Sequence, residues 1–79
     1  MEQLTKDDMT GVRFTAEEYE VVRQWVQDRA AQEIIATPGR LYLPVGEQSM
    51  TTIGEGDLIW WAGGLYPNNF QVERTPVLP

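Results

Sequence analysis

The chain has no cysteine and no histidine, and only 6 Lys and Arg stand against 12 Asp and Glu in its 79 residues. Without cysteine there is no disulfide framework, no thiolate nucleophile and no zinc–thiolate site. Without histidine the commonest general base and the commonest metal ligand are missing, so Ser–His and Cys–His catalysis are excluded. What survives is carboxylate chemistry or none, and the expectation is a protein that is not an enzyme and holds no cofactor and no metal.

The shortage of bases leaves a formal net charge of −6. Nonspecific nucleic-acid binding needs clustered Lys and Arg to displace counterions, and anionic membrane surfaces need the same. Neither partner is expected. A mimic of DNA would explain the acidity, but a solvated helix face carrying Glu17, Glu18, Glu20, Asp28 and Glu33 explains it more plainly. No run approaches the roughly 20 apolar residues of a membrane span. Residues 1–9 lack the apolar core of a signal peptide, so a cytoplasmic protein is the expectation. A chain this short supports a single domain with a thin core, here residues 1–79 with 1–8 and 75–79 as flexible tails.

The pattern along the chain predicts an α+β fold: one amphipathic helix packed on a small antiparallel sheet of four to five strands, flat or curled towards a barrel. Thr10–Phe14 alternates as a first strand. Thr15-Ala16-Glu17-Glu18 has the form of a capping box, in which the Thr15 hydroxyl and the Glu18 carboxylate satisfy each other's backbone amides. Tyr19, Val22, Val26 and Ala30 then recur at helical spacing with Trp25 beside them. A helix over 16–33, about 27 Å long at 1.5 Å per residue, is expected, ended by Thr37-Pro38-Gly39. The second half reads as a meander of strands at 40–45, 49–53, 58–62 and 65–73. It is punctuated by turns at Gly46-Glu47-Gln48, at Gly54-Glu55-Gly56-Asp57 and at the hairpin signal Gly63-Gly64. Pro67-Asn68-Asn69 interrupts the last strand. Pro44 cannot donate to a ladder, which places it at an edge or a strand end.

Leu58-Ile59-Trp60-Trp61-Ala62 is the informative segment. Side chains alternate across a strand, so Leu58, Trp60 and Ala62 share one face while Ile59 and Trp61 share the other. Both faces are apolar. One packs on the helix. The other is covered by a sheet that curls on itself, by a second subunit, or by a ligand. Tyr66, Asn68 and Asn69 adjoin this strand and carry the flat rings and amides that a base needs for stacking and edge hydrogen bonds, although asparagines are also ordinary turn residues. Arg40, Arg74 or Arg13 would meet phosphates. The candidate ligand or partner site is therefore Trp60, Trp61, Tyr66, Asn68, Asn69, Arg40 and Arg74.

Other signals are weaker. The glycines at 54, 56, 63 and 64 have no phosphate-loop spacing and read better as turn residues. Glu55 and Asp57 alone make an incomplete ligand set for a hard cation. Ser49 has no candidate base.

Gln48-Ser49-Met50-Thr51, Gly56-Asp57-Leu58-Ile59, Gly64-Leu65-Tyr66-Pro67 and Phe70, in that order, resemble a group of small phage-encoded proteins. Those carry a C-terminal segment close to "MTAxPGDWIIRGVKGEFYP", after a short strand and an amphipathic helix. Trp60, Trp61 and Ala62 stand where that pattern is basic. The resemblance implies a phage or prophage origin. A small acidic phage protein with no catalytic equipment is expected to be an accessory binder in the host cytoplasm. The expected role is counter-defence, by sequestering a nucleotide signal or by binding a host defence protein, with the chain acting as a homo-oligomer. The alternative is a minor virion or architectural protein with no ligand.

Overall fold

The computed structural model describes residues 1–45 and 49–67. It is an α+β fold of seven strands and one helix: β1 (Gln3–Lys6), β2 (Met9–Arg13), α1 (Tyr19–Gln27), β3 (Ile35–Thr37), β4 (Arg40–Val45), β5 (Ser49–Ile53), β6 (Leu58–Trp61) and β7 (Leu65–Pro67). The strands form two antiparallel sheets, one in the order β1-β2-β6-β7 and one in the order β3-β4-β5. No closed barrel forms among the described residues. The expected turn at 46–48, the asparagines at 68 and 69, the strand at 70–73 and the tail at 75–79 lie outside the described residues.

Between the two sheets and the helix lies one core. Val12, Phe14, Val22, Val26, Leu41, Leu43 and Ile59 are fully buried, with Trp25, Ile34 and Ile53 nearly so. The helix contributes Val22, Trp25 and Val26, and Tyr19 and Ala30 pack at the margin, which is the stripe expected from the sequence. At about 25 cal/mol per Å² of apolar surface, each buried side chain of this size stabilises the fold by roughly 1.5–3 kcal/mol before entropy is counted.

The second half is not one meander. A continuous meander would pair β5 with β6, but β5 stays with β4 while β6 crosses to β2. The turn at 54–57 redirects the chain. Gly56 N–H donates to the Phe14 carbonyl at 2.8 Å, and Phe14 N–H donates to the Asp57 carbonyl at 2.8 Å. Gly56 takes φ +87, a conformation side-chain-bearing residues avoid. Asp57 closes the turn by accepting from Gly54 N–H at 2.9 Å. Arg13 reaches across to the Gly56 carbonyl at 2.8 Å. Locked to Phe14, the strand that leaves the turn starts beside β2 and pairs with it from Arg13↔Leu58 onward.

Other sequence expectations change as well. The helix covers nine residues, not 16–33. Gln27 ends it: its side-chain amide donates to the Gln32 carbonyl at 3.0 Å and its side-chain carbonyl accepts from Ile34 N–H at 2.8 Å, turning the chain into β3. Thr37-Pro38-Gly39-Arg40 is then the turn of the β3–β4 hairpin and not a helix stop. The capping box does not form. Glu18 is the N-cap without a side-chain cap, and its carboxylate accepts from the Met1 ammonium at 2.8 Å. Glu55, from the distant turn, accepts from Ala16 N–H at 2.7 Å instead. Of the five acids assigned to one helix face, only Glu20 lies within the helix. Residues 3–6, expected in a tail, form β1 by hairpin pairing with β2 around Asp7, which takes φ 56.

Candidate functional site

The strand Leu58–Trp61 sends its two tryptophans to opposite faces, as alternation requires. On the core face Ile59 is opposite Val12, and Trp61 is opposite Thr10 and Leu65. On the other face a single row runs Leu4, Gly11, Trp60, Tyr66 across all four strands. Trp60 is only 8% exposed. Its ring covers Gly11, where an added Cβ would lie 2.5 Å from Trp60 Cε3. The second apolar face is therefore covered largely from within its own sheet, and Trp60 is a packing residue there.

Trp61 is half-buried and lines a groove of about 380 Å³. The groove lies beside β7, the last strand of its sheet, so residues from both faces of that strand contribute. Its walls are the segment after the helix, Pro44 on β4, and the β6–β7 hairpin with Trp61, Leu65 and Tyr66. Gly63, at φ +76, makes the hairpin turn, and Ala62 N–H closes it by donating to the Gly64 carbonyl at 2.9 Å. Pro44 lies near the end of β4, beyond the part that pairs with β3, as a residue without a donor should.

Among the described residues the cation lining the groove is Arg29, which the sequence reading did not single out. Its guanidinium carbon sits 3.9 Å from the centroid of the Trp25 ring, and Nη1 donates to the Trp25 carbonyl at 2.8 Å. That stack fixes the side chain at the groove without neutralising it, since Arg29 has no carboxylate partner among the described residues. An arginine four residues after a tryptophan at the end of an amphipathic helix is the signal that would have found it.

The structure brings together Trp61 and Tyr66 of the expected set and adds Arg29 and Pro44. It keeps Trp60 out. Arg40 stands at the opposite end of β4, about 13 Å from Pro44 at 3.3 Å per residue, and does not line the groove. Arg13 is engaged by Glu2 at 2.8 Å and by the Gly56 carbonyl. Asn68, Asn69 and Arg74 lie outside the described residues. The carboxylates of Glu55 and Asp57 accept from backbone amides, and no cluster of metal-ligating side chains occurs among the described residues. No helix among them is long and apolar enough to cross a membrane.

Comparisons with protein-family models, curated proteins and solved structures return no match.

Proposed function

We propose that this chain is a binding protein without catalytic activity, and that the groove beside β7 takes a planar, anionic ligand of the nucleotide class. The observation that carries this reading is the groove's lining. Arg29, Trp61 and Tyr66 converge there, and among the described residues no carboxylate lines it, in a chain of net charge −6. A flat ring suits the aromatic side chains, and a phosphate suits the guanidinium held over Trp25. A volume of about 380 Å³ is at the small end of ligand sites, which span roughly 300–1,000 Å³, and suits one nucleotide unit.

Combined with the resemblance to small phage proteins, this reading makes the chain a counter-defence factor that sequesters a host nucleotide signal. The test is depletion. Purified protein incubated with extract from an infected, defence-competent host is expected to remove one nucleotide species and to release it intact on heating. The Arg29→Ala and Trp61→Ala variants are expected to leave that species in solution. An extract whose nucleotide profile is unchanged by the wild-type protein defeats the proposal.

A further inference from the structure

The charge that a ligand can bring into the groove beside β7 is limited by the cations the chain can bring to it. The sequence holds 6 Lys and Arg: Lys6, Arg13, Arg23, Arg29, Arg40 and Arg74. Arg13 is held by Glu2 and the Gly56 carbonyl, and Arg23 pairs with Glu20 on the helix. Lys6 lies on β1, at the opposite edge of the four-stranded sheet from β7. Arg40 stands at the far end of β4 from Pro44, and the Met1 ammonium pairs with Glu18. None of these lines the groove. Arg29 does, and Arg74 lies outside the described residues. A ligand there therefore meets at most two cations of this chain.

Arg29 itself offers one grip. Its guanidinium sits over the Trp25 ring, and Nη1 donates to the Trp25 carbonyl at 2.8 Å. Nε and Nη2 have no protein acceptor among the described residues. A guanidinium fork suits two oxygens of one phosphate. Further phosphates would extend the anion along walls that include Ala30, Ala31 and Leu65, in the field of a chain at −6. Each charge left unmatched loses water with no ion pair to offset the loss, and the surrounding acids repel it.

We infer that the groove selects nucleosides carrying a single phosphate and discriminates against the triphosphates of the same base. This rests on the nucleotide reading above and narrows it by charge. The open monophosphate and the cyclic monophosphate both belong to the selected class. The cyclic diester carries a single negative charge where the open ester carries about −1.5 to −2 at pH 7.

The experiment is calorimetric titration of the wild-type protein, without divalent cations, using the nucleoside, monophosphate, cyclic monophosphate and triphosphate of adenosine, guanosine, cytidine and uridine. For at least one base a single-phosphate form is expected to bind, with the triphosphate weaker by about tenfold or more. The open and cyclic forms show which ester is taken, and either one ahead of the triphosphate supports the inference. Raising salt from about 50 to about 500 mM is expected to narrow the triphosphate's deficit, because screening weakens the repulsion. A deficit that salt leaves unchanged overturns the charge argument. The nucleoside is expected to bind more weakly than its monophosphate, and Arg29→Ala is expected to abolish that difference. A folded Arg29→Ala variant that keeps the difference overturns the inference, and the wild-type series decides alone should the variant unfold. A triphosphate that binds as tightly as the single-phosphate forms overturns the inference and leaves the nucleotide reading standing. Binding by none of the probes overturns it too, and depletion of the host extract then decides separately whether the nucleotide reading falls.

Discussion

Trp60 lies on Gly11, its register partner on the adjacent strand, so closely that a Cβ on the glycine would sit 2.5 Å from the ring. Gly11→Ala must displace a tryptophan wedged between neighbouring strands. Overpacking of this kind costs roughly 1–3 kcal/mol. The urea midpoint is expected to fall accordingly, and Trp60→Leu in the same chain is expected to recover part of the loss. An unchanged midpoint in Gly11→Ala would refute the packing role assigned to Trp60.

Trp61 and Trp60 are neighbours in sequence with different duties. Trp60→Ala opens a hole above Gly11 and is expected to cost about 3–5 kcal/mol, enough to unfold much of a small domain. Trp61→Ala is expected to keep a cooperative transition and to lose ligand capture. Calorimetry on both variants separates the roles, and equal destabilisation by the two would contradict them.

Thr15 looks like a helix cap and is not one, because Glu18 N–H is served by the Thr15 backbone carbonyl at 3.2 Å. Loss of a working cap costs about 1 kcal/mol. Thr15→Ala is expected to stay within about 0.5 kcal/mol of wild type. A larger loss would show that the hydroxyl caps after all.

Gln27 holds the helix exit from both ends of its side-chain amide. Gln27→Ala strands the part-buried Ile34 amide, and such an orphan costs roughly 1–3 kcal/mol. Gln27→Glu keeps an acceptor for Ile34 and loses the donor to Gln32, so it is expected to fall between the two. Thermal midpoints that rank the glutamate variant below alanine would reject this account.

Arg29 serves both the groove and the fold. It is half-buried over the buried Trp25, and such a stack is worth about 1–2 kcal/mol. Arg29→Ala is therefore expected to lose about that much stability, to keep a cooperative transition and to lose nucleotide capture. A stable variant that captures normally would detach Arg29 from binding.

The elements written in local pattern were legible. Ser49–Ile53 has the strand bounds expected between the turn residues that flank it, and Val22, Trp25 and Val26 face the core as their spacing requires. What could not be read depends on distant partners. The bend before the helix is held by Glu55, far along the chain from Ala16. The helix end is set by a glutamine side chain acting on backbone that follows it. The crossing of β6 to β2 follows from two hydrogen bonds to Phe14. Half of the candidate site was visible in its aromatic residues, Trp61 and Tyr66. Arg29 was hidden because the long helix expected over 16–33 keeps it on a helix, whereas the helix ends at Gln27 and the segment after it forms a groove wall.

The clip between Phe14 and the 54–57 turn also orders the folding reaction. β3, β4 and β5 are consecutive hairpins and close short loops, while β2 and β6 meet only after the whole intervening chain has been gathered, a separation that loop-closure entropy penalises. The three-stranded sheet is thus expected to be formed at the transition state and the four-stranded sheet to be completed after it. Folding kinetics of Ile53→Val should then slow refolding, and those of Ile59→Val should chiefly speed unfolding. The reverse pattern would place the nucleus in the other sheet.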